Sequence, residues 1–115
     1  MRRSKYNAVR TTVNGLAFAS KREAHRYMEL LLLQRLGEIH ALELQPRYEL
    51  HAFGSGARKV GEWRGDFRYC TCPRKGGKCW STEIIVEDAK GFKTPLYKWK
   101  KKHVEAQYGI EIREV

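Results

Sequence analysis

One stretch, Ile84-Ile85-Val86-Glu87-Asp88-Ala89-Lys90-Gly91, constrains this chain more than any other. Three β-branched residues in a row put apolar side chains on both faces of an extended chain, which suits a central strand covered on both sides. Asp88 and Lys90 then follow two positions apart, and side chains two apart leave a strand on the same face. Gly91 ends the pattern. Such a strand needs neighbours along its edges and a layer over each face, so the rest of the chain must supply a sheet and helices.

Those elements are legible. Val13-Asn14-Gly15-Leu16-Ala17-Phe18 carries a turn signal between two short extended pieces. Ser20-Lys21-Arg22-Glu23 opens a helix with a capping box, Ser at the cap and Glu three residues on. Apolar Ala24, Tyr27, Met28, Leu30, Leu31, Leu32, Leu33 and Leu36 follow, and Gly37 stops the helix. It is apolar round more than half its girth, which predicts packing against a sheet. Residues 39–50 read as extended, interrupted by Gln45-Pro46, and Gly54-Ser55-Gly56 as a turn. Residues 63–71 alternate as one strand, with Trp63, Gly65, Phe67 and Tyr69 on one side and Arg64, Asp66, Arg68 and Cys70 on the other. A turn over residues 73–78 joins that strand to one over 80–90, making the two hairpin neighbours. Thr94-Pro95 starts a second helix, which Gly109 stops. Leu96, Trp99, His103 and Ala106 share one of its faces. Residues 110–115 alternate as a last strand does. The order is helix, three strands, helix, strand: an α/β fold with a sheet flanked by helices.

A chain of 115 residues makes one domain. We expect a basic N-terminal arm over residues 1–12 and a single domain over 13–115. A hydrophobic share of 42% is enough for a core and excludes wholesale disorder. The 23 Lys and Arg against 13 Asp and Glu give a net charge of +10, which favours a polyanionic partner, most often nucleic acid. No apolar run approaches the roughly 20 residues that span a bilayer, and Met1-Arg2-Arg3-Ser4 leads into no apolar signal region. A cytoplasmic protein with no membrane partner and with reduced cysteines is therefore expected. Cys70, Cys72 and Cys79 bracket a turn. Zinc takes four ligands, and the fourth would have to come from a distant His or a second subunit. Ordinary hairpin cysteines are the expectation, and zinc is not.

Glu23, Asp66, Asp88 and Lys90 carry the chemistry. Taken singly, Glu23 is half of a capping box, Asp66 a turn or edge residue beside Gly65, and Asp88 with Lys90 a solvated strand end. Yet Glu23 also lies on the inward stripe of its helix, where a carboxylate is costly unless paired or metal-bound. Asp66 and Asp88 sit on hairpin neighbours, within reach of each other. Together they suit one hard cation such as Mg²⁺. A cation there lowers the pKa of a bound water and holds a phosphate, with Lys90 orienting the water. Glu87 points to the opposite face and becomes a ligand in place of Asp88 only if the strand bulges or slips.

In order along the chain, Phe18-x-Ser20-x-x-Glu23, Leu44-Gln45-Pro46, Gly65-Asp66-Phe67 and Val86-Glu87-Asp88-Ala89-Lys90-Gly91 resemble the PD-(D/E)XK nuclease superfamily. Within it, the chain looks like small phage nucleases akin to Holliday-junction resolvases and to the endonuclease subunit of some transposons. The resemblance implies an αβββαβ restriction-endonuclease-like core with a mixed sheet. It also implies Mg²⁺, with Mn²⁺ as a substitute, and hydrolysis of a DNA phosphodiester, the substrate being four-way or other branched DNA. It assigns catalytic roles to Glu23, Asp66, Asp88 and Lys90, places Gln45 near them, and makes Glu23, Asp66 and Asp88 metal ligands. A junction is cut symmetrically on two strands, so a homodimer is implied, with Trp80, Leu96, Trp99 and the last strand as candidate surface. The chain departs from the family pattern in having Gly65 before the first acid, Asp88 as the second, and an insertion from Cys70 to Cys79.

Basic residues form three clusters: Arg2, Arg3, Lys5 and Arg10; Arg74, Lys75 and Lys78; and Lys93, Lys98, Lys101 and Lys102. They are the expected phosphate contacts, and binding through them weakens with salt. Nothing resembles a base-reading helix, so the expected recognition is of backbone and shape. Two other readings stand beside the resolvase. One is a nicking, packaging or transposition endonuclease of the same fold. The other is a non-catalytic nucleic-acid-binding module whose acids serve structure.

Overall fold

The computed structural model describes residues 10–54, 56–72, 83–89 and 93–115. The elements run β1 (Thr11–Val13), β2 (Leu16–Phe18), α1 (Lys21–Arg35), β3 (His40–Leu44), β4 (Arg47–Phe53), β5 (Ala57–Arg64), β6 (Phe67–Cys70), β7 (Ile84–Asp88), α2 (Pro95–Tyr108) and β8 (Glu111–Glu114). Asn14 and Gly15 take φ of 51° and 79°, the backbone a two-residue hairpin turn requires, and so join β1 to β2. Thr11 already pairs with Phe18.

Strands β3, β6, β7 and β8 lie side by side in that order. The first three are antiparallel, and β8 runs parallel to β7. The succession α1, β3, β6, β7, α2, β8 is αβββαβ, with the β4–β5 hairpin inserted after β3. This is a mixed sheet flanked by helices. Among the described residues no helix is long and apolar enough to cross a membrane.

β7 is the centre of the fold. Ile85 joins Phe18, Ala24, Tyr27, Leu30, Phe67 and Tyr69 in a core beneath α1. Val86 joins Leu50, Trp63, Tyr97, Val104 and Ile112 in a second core, beneath α2 and the inserted hairpin. Each fully buried aliphatic side chain here contributes about 2 kcal/mol. Two-residue alternation then sends Glu87 to the α1 side and Asp88 to the α2 side.

Two expectations are corrected. Residues 63–71 are not one strand, because β5 ends at Arg64 and β6 begins at Phe67. At the break, Gly65 donates its N–H to the Pro46 carbonyl at 3.0 Å. A Cβ there would lie 2.8 Å from the Trp63 ring and 3.0 Å from Val86. The crossing sends Trp63 into the α2-side core and Phe67 and Tyr69 into the α1-side core, so they do not share a face. Second, α1 does not bury its whole apolar girth. Met28, Leu32 and Leu36 are exposed, since the leucine run winds about 100° per residue, which buries Leu30 fully while Leu31 and Leu33 pack at the margin of the core. Helix α2 packs through Tyr97 and Val104, and Leu96 and Trp99, named above as candidate dimer surface, are exposed. The turn over 73–78, Cys79 and Trp80 lie outside the described residues.

Candidate active site

Asp66 sits at the crossing between the inserted hairpin and the sheet. Its N–H donates to the Glu87 carbonyl at 3.0 Å, and its own carbonyl accepts from the Gln45 N–H at 2.9 Å. These bonds extend the β6–β7 ladder, in which Phe67 pairs with Glu87, and set Asp66 opposite Asp88. The Ala89 N–H donates to Asp66 Oδ2 at 2.6 Å. The Asp66 carboxyl also lies close enough to the carboxyls of Glu23 and Asp88 for each to shift its affinity for a proton.

Glu23 arrives from the first turn of α1. Its N–H donates to Ser20 Oγ at 3.2 Å, as a capping box predicts. Its carboxylate does not complete the box on Ser20, because Oε2 accepts from the Ala19 N–H at 3.0 Å and the side chain reaches toward Asp66. Glu23 and Asp88 are both buried. Burial is the first reason that the Asp66 carboxyl is pushed up to about 6, and its bond to Glu23 is the second. The bonds from Asp88 and the Ala89 N–H oppose that rise.

Glu87 is fully buried on the other side of β7. Arg26 Nε and Nη2 donate to its two oxygens at 2.6 Å each, and the Tyr69 hydroxyl donates to Oε2. Burial, then the bond to Glu87, pushes the Tyr69 hydroxyl up to about 12. The Glu87 bond also holds the Arg26 guanidinium above its ordinary value. Its partners and its face separate Glu87 from the Asp66 carboxyl.

Sequence reasoning missed Tyr97. It is buried in the first turn of α2, where its hydroxyl feels the charge of the Asp88 carboxyl. Burial first, then Asp88, raise its pKa. The available signal was its place three residues after the Thr94 cap, facing inward while Lys98 and Trp99 face out.

Gln45 is exposed, with φ of 52°, and is tied to Asp66 through the backbone. Lys90, Arg2, Arg3, Lys5, Arg74, Lys75 and Lys78 lie outside the described residues. Arg10, Lys98 and Lys102 are exposed. Lys93 and Lys101 instead pair with Glu114 on β8, Lys101 at 2.8 Å, and hold its carboxyl below the usual range.

Carboxyls crowded this way, with the proton affinity of one raised by burial and by its neighbour, have the chemistry of a hard-cation site. Asp66 with Asp88 fits Mg²⁺, which takes one or two carboxylates and keeps its waters. Among the described residues, a group of three ligand residues whose donors all lie within 4.8 Å of one another is His40, Cys70 and Cys72.

A family model described as "Protein of unknown function (DUF1064)" matches residues 3–114. No curated protein and no solved structure matches the chain.

Proposed function

This chain belongs to the DUF1064 family, and we propose that it is a metal-dependent DNA endonuclease of the PD-(D/E)XK kind. One observation carries the reading. Asp66 touches both Glu23 and Asp88, so acids from a helix, a strand crossing and the central strand meet at one end of β7. The αβββαβ order supports it, as do the sequence elements around each acid.

In this reading Asp66 and Asp88 hold Mg²⁺. When bound, the ion lowers the pKa of a coordinated water and neutralises charge on the scissile phosphate. Glu23 fixes the Asp66 carboxyl from behind. Tyr97 fixes that of Asp88, as partners of metal-binding carboxylates commonly do. Lys90, next to the Ala89 that bonds Asp66, is assigned to orient the attacking water. Arg10, Lys98 and Lys102 offer exposed positive charge for the DNA backbone. The substrate form that the resemblance favours is a four-way junction, cut by a twofold dimer.

The test is cleavage of supercoiled plasmid and of a four-way junction, with Mg²⁺, Mn²⁺ or chelator. Wild type should cut only with metal. Asp66→Asn, Asp88→Asn and Lys90→Ala should lose at least a hundredfold in rate while melting cooperatively. DNA binding without cutting under every metal condition favours a non-catalytic module. Equal cutting of junction and linear duplex removes the resolvase assignment and leaves the nuclease.

A further inference from the structure

At the opposite end of β6 from Asp66, the fold assembles a second set of donors. His40 opens β3 and is the pairing partner of Cys70, which ends β6. Residues paired across a ladder project on the same face, and so do residues two apart on one strand, so His40, Cys70 and Cys72 converge. His40 Nε2 lies 3.1 Å from Cys72 Sγ. The Cys72 N–H donates to Cys70 Sγ at 3.4 Å. All three donor atoms lie within 4.8 Å of one another. Both sulfurs belong to buried residues, and His40 is half-buried. The ladder is irregular just after His40, where Ala41 takes φ of 57°. A bulge of this sort re-aims a side chain.

We propose that His40, Cys70 and Cys72 form a zinc site in the reduced protein. The donor set is one imidazole and two thiolates, the chemistry zinc prefers over the hard cations that suit carboxylates. Tetrahedral zinc with bonds of about 2.0 to 2.3 Å spaces its donors roughly 3.5 to 3.8 Å apart. The separations here bracket that spacing, so small side-chain adjustments close the site. Water fills the fourth position. The distant histidine that the cysteines need is thus supplied by the neighbouring strand.

Against the expectation of reduced cysteines, Cys70 is disulfide-bonded in the structure, whereas Cys72 carries a thiol. A disulfide sulfur is no thiolate ligand, so disulfide and zinc compete for Cys70. A phosphine reductant gives the disulfide two electrons and becomes the phosphine oxide by taking oxygen from water. Two thiols result. Zinc then displaces one proton from Cys70 and one from Cys72 and takes the lone pair of His40 Nε2. The site lies four residues along β6 from Asp66, or about 13 Å. Its effect is structural: it pins edge strand β3 to β6.

Full-length protein, reduced with a phosphine and stripped of metal, is titrated with Zn²⁺ and with Co²⁺. We expect one Zn²⁺ per chain and a melting temperature raised by about 5 to 10 °C. Co²⁺ should give tetrahedral visible bands and a thiolate charge-transfer band. His40→Ala and Cys72→Ser should each weaken metal binding at least tenfold. Asp88→Asn should keep both metal stoichiometry and the cobalt spectrum, which separates this site from the proposed magnesium site. Absence of the charge-transfer band in reduced wild type overturns the proposal. So does zinc retained equally by His40→Ala and Cys72→Ser, or lost in folded Asp88→Asn. If the His40 and Cys72 variants fail to fold, the wild-type cobalt spectrum decides.

Discussion

Arg26 meets Glu87 across the α1 face of the sheet through two hydrogen bonds of 2.6 Å. The pair explains how two adjacent acids in one strand do different things. Glu87 is spent on holding α1 to β7, while Asp88 turns to the opposite face and to Asp66. Arg26→Ala leaves a fully buried carboxylate without its cation, a loss of about 3 kcal/mol. Urea unfolding should show it. Glu87→Gln should cost less, and its metal requirement for cleavage should match wild type. A Glu87→Gln protein that folds but no longer responds to Mg²⁺ would falsify the assignment of roles.

The raised Asp66 pKa has a definite sign. The group is an acid with an ordinary value of 3.8 and a folded value of about 6. The folded state therefore holds this proton more tightly than the unfolded chain does. Its contribution to metal-free stability is full below about pH 3.8 and is lost as pH rises through about 6. Asp66→Asn should flatten that part of the stability profile in chemical denaturation. Mg²⁺ competes with the same proton, so cleavage should rise with pH across this window. The midpoint should move to lower pH as Mg²⁺ is raised.

Tyr97→Phe removes only the hydroxyl that neighbours the Asp88 carboxyl. The expected result is a ten- to hundredfold weaker apparent affinity for Mg²⁺, with the maximal rate at saturating metal less affected. A metal titration of the cleavage rate measures both. An unchanged metal dependence would assign Tyr97 to packing alone.

Lys98 and Lys102 are exposed on α2, whereas Lys93 and Lys101 are held by Glu114. Replacing Lys98 and Lys102 with Ala should weaken DNA binding across all sequences. It should also reduce the slope of log affinity against log salt by about 0.9 for each phosphate no longer neutralised. Lys93→Ala should change the slope less. Fluorescence anisotropy at several salt concentrations distinguishes the two sets.

Much of this was legible in the chain because local signals and tertiary demands agree. The Ser20 and Thr94 caps, the Asn14-Gly15 turn and the apolar run ahead of Asp88 each mark an element where one forms. The break at Gly65 was not legible, because alternation carries on through it. Only the close approach of Trp63 and Val86 shows why a residue without a side chain stands there. Glu23 read as a cap and proved to be more, since its carboxylate leaves Ser20 for Ala19 and Asp66. Tyr97 was hidden among lysines, and His40 stands far from Cys70 in sequence. Spacing along a chain does not report partners brought together by a ladder.

The placement of Glu87 and Asp88 on opposite faces of β7 limits how the gene can change. Inserting or deleting a single codon within this strand would exchange the two acids, turning the Glu87 carboxylate toward Asp66 and burying Asp88 against Arg26. Substitution is open to β7 and length variation is not, so indels among related chains should fall in the connecting segments and spare this strand.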